Sequence, residues 1–120
     1  MRTSVENNAE KITDLSYLLR LSNGNKVFVK EMIALFLSEN PEEIKSLDHA
    51  IRDGDYNSIK ATAHKLRSTI PFIGIDKLIE KEISEIEAIA SENGDIQEIE
   101  SRFSKIRSVC EKACIELTTM

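Results

Sequence analysis

The stretch Thr62-Ala63-His64-Lys65-Leu66-Arg67-Ser68 sets an imidazole among small and cationic side chains, inside a run patterned for a long amphipathic helix. Ile59, Ala63, Leu66, Ile70 and Ile73 recur in steps of 4, 3, 4 and 3. At about 100° per residue they share one stripe, the buried face of such a helix. His64 lies roughly 130° from the centre of that stripe, which turns its ring toward water. Lys60, Ala61, Arg67 and Ser68 lie one turn away and are the side chains within its reach. Two neighbouring cations disfavour a third positive charge on the ring, and a nucleophile needs the neutral imidazole. The same cations, Lys60 and Arg67, suit an anion once the ring carries one. Ala61, Lys65 and Ser68 then form the surface that a second protein meets.

Ala63-His64-Lys65-Leu66-Arg67, with Gly74 ten positions past the histidine, resembles the signature of histidine-containing phosphotransfer (HPt) domains, whose usual wording is close to Ala-His-x-Leu-Lys-Gly. The resemblance runs from about Asp14 to the C-terminus. It implies that His64 accepts a phosphoryl group from an aspartate of a receiver domain and passes it to another receiver. The partners are receiver domains of response regulators or of a hybrid sensor histidine kinase. It further implies a phosphoryl carrier with no catalytic site of its own and no cofactor, Mg²⁺ being expected on the receiver alone. Arg67 matches the family's cation, with a planar fork in place of lysine's compact ammonium. Two positions depart from the family wording: Ser68 stands where glycine is common, and Pro71 sits where the helix usually continues. Because proline cannot donate to the carbonyl four residues back, the helix is expected to bend or end just after the site. These departures leave a second reading, a helical adaptor that binds receiver or kinase domains without transfer. A third is an unrelated helical interaction domain in which His64 is incidental, favoured if the ring is buried.

Composition narrows the remaining classes. The 120 residues are 41% hydrophobic and 31% charged, with four glycines, two prolines and no tryptophan, enough chain for one core without staples and too few turn residues for many strands. The net charge of −5 comes without a basic stripe on any one expected face, which argues against nucleic acid. No apolar run is long enough for a bilayer, and the first eight residues lack the apolar centre of a signal peptide, so a cytoplasmic monomer away from membranes is expected. The glycines stand singly at expected helix ends rather than in a phosphate loop. Cys110 and Cys114, four apart on one helix, read as core or half-buried thiols rather than a disulfide or metal pair.

In chain order, residues 1–12 read as a flexible N-terminal arm or linker and 13–120 as the helical domain. Thr13 or Asp14 caps a short helix carrying Leu15, Leu18, Leu19 and Leu21, closed at Ser22-Asn23-Gly24. Asn25 opens a helix with Phe28, Val29, Met32, Leu35 and Phe36 on its apolar face. A boundary is expected at Asn40-Pro41, with Asn40 as N-cap, Pro41 at the first helical position and Glu43 closing a capping box. The next helix buries Ile44, Leu47 and Ile51 and leaves His49 in solvent. Gly54 and Asp55 separate it from the site helix, expected over Tyr56 to about Ile73. A helix from Asp76 to Asn93 buries Ile79, Ile83, Ile86 and Ala90, with Glu80, Glu82, Glu85 and Glu87 on a solvated face. The last, opened by Asp95 with Glu98, carries the seam Ile96, Ile99, Phe103, Ile106, Cys110, Ala113 and Leu117. The expected fold is all-α: an up-down four-helix bundle with a short additional N-terminal helix.

Overall fold

The structure, a computed structural model, describes residues 11–119, so the expected N-terminal arm lies outside the described residues except for Lys11 and Ile12. Among these residues are five α-helices and no strand: α1 (Ser16–Leu21), α2 (Lys26–Asp53), α3 (Tyr56–Thr69), α4 (Asp76–Ser91) and α5 (Ile96–Thr118). A 3-10 turn, Ile70–Ile73, follows α3. Short polar caps start α2, α3 and α5, as the sequence leads one to expect, while α4 follows Ile75 without a side-chain cap. Asn25 accepts from the Phe28 N–H at 3.1 Å, Asp55 from Ser58 at 3.2 Å and Asp95 from Gln97 at 2.9 Å, each satisfying a donor the helix cannot.

The four long helices form a ring in which α3 packs between α2 and α4, and α5 closes the ring against α4 and α2. Each contributes one apolar stripe. Ile79, Ile83 and Ile86 of α4 and Ile99 and Ile106 of α5 are entirely buried, facing Leu47 and Ile51 of α2 and the α3 stripe. Fully burying a side chain of this size contributes about 1.5–3 kcal/mol, so the ring is held chiefly by aliphatic packing. The bundle is thus the up-down architecture expected.

Two differences concern α2. The expected boundary at Asn40-Pro41 is absent, and one helix of 28 residues runs through Pro41. A proline inside a helix loses one hydrogen bond and crowds the preceding turn. Here Phe36 on one side and Ile44, Leu47 and Ile51 on the other bury into the same core, and that common burial keeps the axis continuous. Asn40 is therefore no N-cap but a buried side chain, 2% exposed, donating to Cys110 Sγ at 3.6 Å; Glu43, expected to cap, is 6% exposed. The Cys114 thiol lies 3.8 Å from Asn40 Oδ1. The second difference is that Leu35, assigned to the buried face, is exposed, as are Leu19 and Leu21 of α1, where Leu18 alone is buried. At the other end, α4 stops at Ser91 rather than Asn93, which adopts a left-handed conformation.

The segment before α1 is tied to the last turn of α5 and to the turn after α3. Glu116 of α5 accepts from the Ile12 N–H at 2.8 Å, and from the Thr13 N–H and hydroxyl at 3.1 and 3.0 Å. Asp14 N–H donates to the Ile73 carbonyl at 2.9 Å. Partial burial works against the Glu116 charge, but these donors outweigh it and hold the carboxyl below its usual range. A carboxyl with a lowered folded-state pKa stabilises fully above its unfolded pKa of about 4.3 and stops doing so as pH falls through the folded value. Acidification below about pH 4 therefore frees Ile12 and Thr13 first. Hydrogen exchange at those two amides should accelerate while amides in the α3 core stay protected.

Candidate functional site

The site is set by α3. Gly54 ends α2 in the left-handed region at φ 65°, and Asp55 starts α3 through the Ser58 N–H and hydroxyl, the latter at 2.7 Å. Ile59, Ala63, Leu66, Ile70 and Ile73 are all within 1% of complete burial, which clamps one side of the helix to the core and fixes the rotation of the other. His64 consequently stands exposed, as the stripe dictates, with Ala61, Lys65, Arg67 and Ser68 also exposed and Lys60 half-buried. The burial that would have favoured an unrelated helical domain is not observed. His49, the second histidine, is exposed on α2.

The two flanks of α3 differ in charge. On the side facing α4, Arg67 Nη1 lies 3.2 Å from both carboxylate oxygens of Glu87. On the side facing α2, Lys65 and Thr62 border a groove with Glu39, Glu42 and Glu43. Arg67 and Lys60 share the His64 side by helical angle, while Lys65 lies toward the acidic groove. Ser68 does not project its hydroxyl freely beside the ring; Ser68 Oγ donates to the Lys65 carbonyl at 2.7 Å, and Thr69 Oγ1 to the Leu66 carbonyl at 3.2 Å. Such back-bonding by hydroxyls competes with the helical ladder. Together with Pro71 it brings the α-helix to an end at Thr69, four residues short of the expected Ile73 and in keeping with the break foreseen at the proline.

The acidic run of α4 is only in part a solvated face: Glu80 is exposed, but the other three carboxylates are paired. Glu82 pairs with Lys105 at 3.1 Å, Glu85 with Arg102 at 2.9 Å and Glu87 with Arg67, so three of its carboxylates reach across to neighbouring helices. Identical residue types on the sequence wheel could not distinguish this from solvent exposure, because the partners lie 17 to 23 residues away.

Glu43 is the residue that sequence reasoning missed. Both carboxylate oxygens are buried without a hydrogen-bond partner among the described residues. Burial pushes its carboxyl up, the Lys65 ammonium opposes this, and Glu39 reinforces it. A signal was present: Phe36, Asn40, Glu43, Leu47 and Ile51 keep steps of 3 and 4 across Pro41, the spacing of a single buried stripe. Reading the proline as a boundary concealed it.

These features define a class: a helical bundle that holds a histidine on the solvent face of a rigid, core-clamped helix, with cations on either flank. A family model described as the Hpt domain matches residues 31–107, and the chain belongs to that family. The match covers α2 from its second turn, all of α3 and α4, and α5 as far as Arg107. Comparison with curated proteins and with solved structures returned no match. Hpt domains serve phosphotransfer in two-component systems, which is the general role that membership gives this chain. No helix among the described residues is long and apolar enough to cross a membrane.

Proposed function

We propose that this domain is a phosphorelay intermediate in which His64 takes a phosphoryl group from a receiver-domain aspartate and returns it to the aspartate of another receiver. The observation that carries the reading is the exposure of His64 on a helix whose opposite face is completely buried within a family of phosphocarriers. The exposed imidazole attacks phosphorus as the bond to the aspartyl oxygen breaks, and the aspartate leaves as carboxylate. The ring loses its N–H proton to solvent. Such transfer depends on position and charge more than on covalent machinery. Arg67 and Lys60 supply the positive charge, and Ala61, Lys65 and Ser68 form the contact surface. The receivers belong to response regulators or a hybrid sensor kinase, the Mg²⁺ sits on the receiver, and the domain acts as a monomer in the cytoplasm. Residues 13–120 constitute the relay unit.

Incubation with a phosphorylated receiver, followed by peptide mapping, tests this. An acid-labile, base-stable label on His64 is expected, and a label on any other residue overturns the assignment.

In the free protein Arg67 is engaged by Glu87 and must exchange that carboxylate for the phosphoryl group. Glu87→Gln should therefore raise the level of phosphorylated His64 by a few-fold, the scale of one exposed ion pair of up to about 1 kcal/mol. An unchanged level would remove Arg67 from phosphoryl stabilisation. The same pair favours the second reading, an adaptor without transfer. That reading requires His64→Ala to bind a receiver as tightly as the wild type while neither protein takes up label.

A further inference from the structure

Between the first half of α2 and the end of α3 lies a cavity of about 50 Å³, lined by Met32, Leu35, Phe36, Thr69, Phe72 and Glu43. Its walls are almost wholly apolar, yet one of its lining residues, Glu43, has neither carboxylate oxygen hydrogen-bonded among the described residues. An unpaired carboxylate at 6% exposure is costly unless something arrives to satisfy it. Nothing among the described residues does so. Lys65, the nearest cation by electrostatic influence, forms no ion pair among the described residues, and Glu39 at the rim adds negative charge. The volume accepts a few water molecules, or the last carbons and head of one unbranched side chain. Exposed Leu35 and the partly exposed Phe72 form the lip of the cavity, and Phe72 is steadied by Tyr17 of α1 with ring centroids 6.0 Å apart.

We propose that this cavity is a recognition pocket for one cationic side chain with an alkyl stem, of lysine type, presented by the receiver domain that docks over α3. The stem packs against Met32, Phe36 and Phe72, and the ammonium head meets Glu43. Thr69 places the pocket one turn beyond the His64 segment, so a partner covering α3 spans both. The assignment of a receiver as occupant rests on the proposed relay function; the preference for an alkylammonium does not. Glu43 is a positioning residue, since it touches neither the ring nor the phosphoryl group.

The free pocket is probed with n-butylammonium chloride, n-butanol serving as the uncharged control, while the Met32 methyl and the Glu43 carboxyl carbon are followed by NMR. Saturable shifts at both with the ammonium, absent with the alcohol and absent in Glu43→Gln, are expected. Equal responses to the two probes, or none to either, overturn the pocket and leave a dry or water-filled cavity. In the second arm a receiver domain is titrated against wild type and Glu43→Gln. Affinity should fall about tenfold, or about 1.4 kcal/mol, while transfer to His64 at saturating receiver is unchanged. Glu43→Gln should also melt higher than wild type at neutral pH, because it removes a buried charge. That separates lost recognition from lost folding. Ammonium binding without any labelling of His64 would keep the pocket and sink the relay. Labelling with undiminished receiver affinity in Glu43→Gln would do the reverse for the receiver as occupant.

Discussion

His64→Gln should take up no label from a phosphorylated receiver while keeping the far-ultraviolet circular dichroism and melting temperature of the wild type. Glutamine approximates the reach of imidazole but offers an amide nitrogen whose lone pair is delocalised, so it cannot attack phosphorus. The substitution costs the fold little because the side chain is exposed and makes no hydrogen bond among the described residues. Exposed positions away from caps and core usually change stability by less than about 0.5 kcal/mol, and glutamine is the better helix former. The loss is therefore of chemistry alone. His49→Gln supplies the control, since the other exposed histidine should be dispensable. Label that persists in His64→Gln and disappears in His49→Gln would transfer the role to α2.

The second large effect is expected on stability, at Gly74. This residue closes the 3-10 turn after α3 at φ 77°, in the left-handed region where a side chain costs about 1–2 kcal/mol. It also lies directly under the N-terminal segment. A Cβ added there would run into the backbone oxygen of Asp14, and would come within 2.6 Å of the Asp14 Cβ and 2.9 Å of its nitrogen. The same Asp14 N–H is bonded to the Ile73 carbonyl, so the strand of chain before α1 cannot retreat without losing that bond. Strain and overpacking together predict a loss of about 2–5 kcal/mol for Gly74→Ala, a fall of several degrees or more in melting temperature for a domain of this size. Gly54→Ala gives the comparison: its φ of 65° carries the backbone strain, but its Cβ would meet open space. It should lose markedly less. Equal losses at the two glycines would mean that the contact with Asp14 contributes nothing.

Gly74 also illustrates how a motif position acquires a physical reason only in three dimensions. In the sequence it is a glycine ten residues past a histidine, and a helix end is all that its type suggests. The fold adds that the chain from Ile12 to Asp14, held at Glu116 on the far helix, crosses over it. That crossing joins residues more than 100 apart in sequence, and no local pattern anticipates it. The same limit explains the misplaced acidic run of α4 and the misread boundary in α2. Proline is a strong local signal for a helix start, yet burial of Phe36 and Ile44 on either side in one core outweighed it.

Local sequence alone determined the all-α class and the outward direction of His64 through apolar periodicity, and the helix starts at Asn25, Asp55 and Asp95 through capping residues, because helix formation and capping are set by neighbours within four residues. Tertiary structure alone decided that Arg67 is held by Glu87, that α2 is continuous, and that Glu43 lines an apolar cavity with no hydrogen-bond partner among the described residues. Those outcomes depend on which helices become neighbours and how much surface they bury together. Such quantities belong to the assembled bundle and not to any one segment of the chain.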